Sequence, residues 1–157
     1  MIYPKLIGFA AASLLFSGAA VAQNFTYEVV WEPVEFVGGM DTPDRPQGGA
    51  GIVNGSYTTT YADGSVEKGK ARCIGMDQPD NGLFALHFSC TTNDPSGVAS
   101  LVYGCNYLGK PGPETPLGCV GGIQGKTGEA TGRRGSLTME WYSETQARGT
   151  GQWYASQ

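Results

Sequence analysis

The chain has 157 residues, with ten basic and fourteen acidic side chains and one histidine. That length fits a single domain, and the acidic balance excludes the basic footprint that a nucleic-acid partner needs. Residues 23–157 hold nine of the basic and all fourteen of the acidic side chains, a net charge of −5, together with 23 of the 25 glycines. Glycine is thus more than twice its usual ~7% share there.

Residues 1–22 read as an export signal. Lys5 supplies the positive start, residues 6–20 are almost wholly apolar, and Ala20-Val21-Ala22 is a small-x-small cleavage site. The apolar run is too short to span a bilayer, and no second run of membrane length follows. The expectation is a leader removed after Ala22 and one domain over residues 23–157, periplasmic or secreted, with no membrane span. Cys73, Cys90, Cys105 and Cys119 all lie in that domain. In an oxidising compartment four cysteines read as two disulfides. A zinc site fits less well, because no two cysteines are separated by the short gap that zinc sites favour and the chain has one histidine.

Within residues 23–157, Val, Ile, Phe, Trp, Tyr and Thr total 39, against 14 Leu and Ala. That bias favours strands over helices. In residues 25–37, Phe25, Tyr27, Val29 and Trp31 alternate with polar neighbours, and after Pro33 the apolar phase moves to Val34 and Phe36. A proline at a phase change marks an edge or a bulge. Residues 38–49 (GGMDTPDRPQGG) read as the one long loop.

Asp63-Gly64 predicts a two-residue hairpin turn in which Tyr61 faces Val66, Thr59 faces Lys68 and Tyr57 faces Lys70. A second turn at Asn81-Gly82 sets Cys73 directly opposite Cys90, at a non-hydrogen-bonded position close enough for a disulfide. Asn93-Asp94-Pro95-Ser96-Gly97 turns the chain into a run over residues 98–108. Pro111-Gly112-Pro113 then centres a hairpin that would join Cys105 to Cys119. The resulting connectivity is Cys73–Cys90 with Cys105–Cys119; two other pairings are formally open. A glycine-dense stretch over 118–135 precedes two clean strands, 136–142 and 148–154. Leu137, Met139 and Trp141 share one face there, as do Gly149, Gly151 and Trp153.

About eight sequential antiparallel strands close most economically into an up-and-down barrel, with a flattened two-sheet sandwich as the alternative. The predicted registers put Ala71, Cys73, Gly75, Phe84, Leu86, Phe88 and Cys90 inside, with a hydroxyl row of Asn54, Ser56, Thr58 and Thr60. Tyr57, Tyr61, Lys68, Lys70, Arg72, Ile74 and His87 fall on the opposite surface. The stretch Gly121-Gly122-Ile123-Gln124-Gly125-Lys126-Thr127-Gly128-Glu129-Ala130-Thr131-Gly132, with Arg148-Gly149-Thr150-Gly151-Gln152-Trp153, resembles the glycine-rich signature and closing strand of the allene oxide cyclase and dirigent-like secreted barrels. The resemblance covers the last third of the chain. It implies an eight-stranded barrel with an internal ligand cavity and transfers no catalytic residue.

No catalytic constellation stands out. Gly121 to Lys126-Thr127 is one residue too short for a phosphate-binding loop and no helix follows it. His87 has no nucleophile elbow to serve. Glu28, Glu32 and Glu35 read as a solvated, charged edge, and Lys68, Lys70 and Arg72 as a solvated stripe. No cofactor and no metal is implied. His87, Tyr103, Tyr57 and Trp141 are the candidate ligand contacts, since aromatics at barrel mouths often hold small molecules. The expected function is an exported, non-enzymatic barrel that binds a small molecule or a cell-envelope partner. A barrel enzyme of cyclase, isomerase or hydrolase type, and an adhesion module using residues 38–49, are the alternatives.

Overall fold

In a computed structural model, the structure describes residues 22–41, 46–79, 82–112 and 114–155. The export signal therefore lies outside the described residues, apart from Ala22. Nine strands follow in chain order: β1 (Gln23–Trp31), β2 (Glu35–Asp41), β3 (Pro46–Tyr61), β4 (Val66–Asp77), β5 (Leu86–Asp94), β6 (Gly97–Tyr107), β7 (Leu117–Gly125), β8 (Arg134–Ser143) and β9 (Gln146–Trp153). A single 3-10 turn, Gly128–Ala130, interrupts the β7–β8 connection.

Each strand from β3 to β9 pairs antiparallel with the next, and β1 pairs with both β9 and β3. The sheet is thus a closed eight-stranded antiparallel barrel. Closure leaves those eight strands no open edge to template association. The ninth strand, β2, lies end to end with β1 along the same edge of β3. Between Trp31↔Gly55 and Glu35↔Ile52 the β1–β2 side carries one extra residue. This is the bulge that Pro33 and the shift of apolar phase signal in the sequence.

Residues 38–41 and 46–49 are strand, not loop. Gly38 pairs with Gly49 and Asp41 with Pro46, so β2 and the start of β3 form a hairpin that overhangs one end of the barrel. Glycine pairs carry no side-chain pattern, so the backbone pairing is invisible to periodicity. Residues 42–45 lie outside the described residues.

Both disulfides form as expected. Cys73–Cys90 spans β4 and β5, and Cys105–Cys119 spans β6 and β7, with Cα atoms 4.0 and 4.1 Å apart. The β3–β4 register differs by one residue from the expectation. Thr60 faces Val66, and Tyr57 faces Gly69 rather than Lys70. The turn holds three residues, Ala62 to Gly64, and Gly64 takes a left-handed φ of 85°. That is the three-residue hairpin with glycine at its last position. Because side chains alternate with period two, the slip exchanges the two faces of β3. Val53, Tyr57, Thr59 and Tyr61 turn inward, and the row Asn54, Ser56, Thr58, Thr60 turns outward.

Candidate functional site

The inward wall is built from aromatic rings laid over glycines. Phe25 stands opposite Gly151, Tyr27 opposite Gly149 and Trp31 opposite Gly55. Tyr57 stands opposite Gly69, Phe88 opposite Gly75 and Tyr103 opposite Gly121. At each of these glycines a Cβ would run into the ring. The glycines therefore let large rings lie flat along the wall. A barrel of eight strands is ordinarily just wide enough for its side chains to fill. With its rings pressed to the wall, this one keeps a cavity of about 210 Å³.

Stacked aromatics lie at one end of the cavity. Trp31 and Trp141 stack with centroids 5.0 Å apart at 23°, and Phe88 lies 5.7 Å from Trp141. Trp31 is 6% exposed, and its indole Nε1 finds no hydrogen-bond partner among the described residues.

Midway along the cavity, Tyr27 Oη donates to the Thr138 carbonyl at 2.6 Å, which uses its one hydrogen. The 3.1 Å contact between Tyr27 and Tyr103 hydroxyls is then a donation from Tyr103. Burial pushes the Tyr27 pKa up to about 12, against a smaller lowering by the Tyr103 hydrogen bond. Burial and the neighbouring Tyr27 push Tyr103 well above the ordinary tyrosine range.

The other end is polar. It is rimmed by residues near the β3–β4 and β5–β6 turns and along the β7–β8 connection, among them Ser65, Ser96, Glu129 and Arg133. Tyr57 Oη donates to Asp94 Oδ2 at 2.6 Å, and Tyr61 Oη to Glu67 Oε2 at 2.7 Å. Burial first, and then the bonded carboxylate, raise both phenol pKa values above the ordinary range. All four interior tyrosines are accordingly neutral hydrogen-bond donors at physiological pH. Asp94 Oδ1 also accepts from Ser96 N and Oγ, which fixes the β5–β6 turn. The 3-10 turn is tied to that hairpin by Glu129 N→Ser96 O at 2.9 Å. Arg133 lies over the Trp153 ring at 4.9 Å and donates to Gln23 Oε1 at 3.0 Å.

Of the sequence-predicted contacts, Tyr103, Tyr57 and Trp141 line the cavity together. His87 does not join them. It is exposed on β5, beside Phe84 at 5.7 Å. Sequence reasoning did not single out Phe25, Tyr27, Asp94 or Arg133, and it weighed Trp31 and Trp153 among the barrel aromatics without choosing them. The alternation of Phe25, Tyr27 and Trp31 on β1 is the signal that could have found those three. Glu28, Glu32, Glu35, Lys68, Lys70 and Arg72 are exposed, away from the cavity lining. Among the described residues, no three His, Cys, Asp or Glu are placed to hold a metal ion. No helix of the described residues is long and apolar enough to cross a membrane. The chain matches no known family model, no curated protein and no solved structure.

Proposed function

We propose that this protein is an exported, non-enzymatic binding barrel that takes a small, largely apolar molecule of one or two rings through the Arg133–Glu67 end. The observation that carries the reading is the aromatic-lined cavity of about 210 Å³ inside the barrel. An apolar cavity of about 150 Å³ accommodates benzene, so this space suits a molecule somewhat larger. Export is supported by the leader sequence and by two disulfides, which persist in oxidising compartments. The resemblance of the glycine-rich tail to the allene oxide cyclase and dirigent-like barrels is in keeping with an internal ligand. The four interior tyrosines, held protonated by burial and each donating its one hydrogen within the protein, can accept from a ligand and are unsuited to proton abstraction.

The chain has three tryptophans, and all three line the cavity. Occupancy should therefore change intrinsic fluorescence. A panel of one- and two-ring aromatic and alicyclic compounds, screened by thermal unfolding and tryptophan emission together, tests the reading. A ligand at a hundred times its Kd stabilises by about 2.7 kcal/mol, a rise in Tm of roughly ten degrees for a domain of this size. A panel in which no compound moves either signal would overturn the reading.

A further inference from the structure

The polar end of the cavity carries more negative charge than positive. Glu67, Asp94 and Glu129 line it, and Arg133 is the one basic residue of the lining. Register turns the first two inward: Glu67 pairs with the buried Thr59, and Asp94 shares the parity of the buried Cys90 on β5. Both are half-buried, where charge is screened less than in open water. The Arg133 guanidinium is engaged elsewhere, over the Trp153 ring at 4.9 Å and on Gln23 Oε1 at 3.0 Å. Asp94 is filled by donations from Tyr57 Oη, Ser96 N, Ser96 Oγ and Gly97 N. Glu67 accepts from Tyr61 through Oε2, and no donor among the described residues reaches its Oε1. The Tyr61 ring packs edge-on against Phe25, which in turn lies 6.3 Å from Trp153.

Resting on the binding reading above, we propose that the molecule held in the barrel is a primary amine on a one- or two-ring apolar body, and that its ammonium donates to Glu67 Oε1. A carboxylate would meet three like charges against one guanidinium. A pure hydrocarbon would leave Glu67 half-buried with nothing to offset its charge. An ammonium brings the charge and the hydrogen that this carboxylate lacks. Aromatic faces such as those of Tyr61 and Phe25 also favour a cation beside them.

The test uses the disulfide-intact protein at about pH 7, where amines are protonated and carboxylic acids ionised. Two matched sets of probes are titrated: phenethylamine, ethylbenzene and hydrocinnamate; and 2-aminoindane, indane and indane-2-carboxylate. Amines are better hydrated than hydrocarbons, so the first readout is the change in the amine-to-hydrocarbon affinity ratio on Glu67→Gln. That variant removes the charge and keeps an oxygen for Tyr61. The expected change is a fall of about tenfold, the worth of one charge-assisted hydrogen bond at a half-exposed site, with hydrocarbon affinity kept within about twofold. Retained hydrocarbon binding also shows that the variant folds. The second readout needs no variant: the native protein should bind each amine about tenfold more tightly than the carboxylate of its set. This decides the matter should Glu67→Gln not fold. An unchanged ratio, or a carboxylate bound as tightly as its amine, overturns the ammonium site and leaves the binding reading standing. Failure of every probe to bind overturns both.

Discussion

Tyrosine is the residue on which this interior turns. Tyr27, Tyr57, Tyr61 and Tyr103 all have pKa values raised in the folded state by burial, and for Tyr57, Tyr61 and Tyr103 by neighbouring groups as well. A raised folded pKa means that the native state holds its proton after the unfolded chain has lost it. The stabilisation is therefore complete below about pH 10, the pKa of an unfolded tyrosine, and is lost as pH rises through the folded value. For Tyr27 that window runs from 10.0 to about 12. Within that window the buried Tyr27 costs about 1.4 kcal/mol of stability per pH unit. Stability should thus be insensitive to these groups at pH 7–9 and fall steeply above about pH 10. Tyrosinate absorbance followed alongside near-ultraviolet dichroism would show these four ionising only as the fold is lost. Ionisation of every tyrosine near pH 10 with the dichroism intact would contradict the account.

At the same scale, sequence reading succeeded and failed for physical reasons. The parity of Leu137, Met139 and Trp141, and of Phe25, Tyr27, Val29 and Trp31, correctly marks the inner face. Tyr57 and Tyr61 were read onto the wrong face because Asp63-Gly64 suits both a two-residue and a three-residue turn. One residue of slip inverts a strand. The role of the glycines was not legible. Gly151 and Gly149 serve Phe25 and Tyr27, more than a hundred residues away in the chain, and only the pairing of β1 with β9 brings them together.

At the scale of elements, the disulfides were the most legible feature. Each is centred on a hairpin, so the midpoint of the two cysteine numbers falls on the turn. Cys105–Cys119 closes a loop of 14 residues and Cys73–Cys90 one of 17. Loops of that length are worth about 3 kcal/mol by chain entropy. Replacing Cys105 and Cys119 together by alanine should lower unfolding free energy by about that amount in urea, with the folded spectrum kept. A loss under about 0.5 kcal/mol would show that the staple constrains the unfolded chain far less than its loop length implies. The β2–β3 hairpin was the least legible element. Its glycines and prolines carry turn signals, and only the register with β3 reveals a strand.

For the whole molecule, closure decides everything that follows. The contact between β1 and β3 joins residues some thirty apart, skipping β2, and no local pattern announces it. Sequential hairpins made an up-and-down barrel the economical expectation, and the closed sheet bears that out. Whether the interior was filled or hollow could not be read from the sequence, because it depends on which residues face which glycines across the ladder.

The most direct measurement of that hollow is a crystal structure of the protein under xenon pressure. The account expects xenon density inside the barrel, between the Trp31–Trp141 stack and the Arg133–Trp153 pair. Side chains filling that volume, with no interior xenon site, would contradict it.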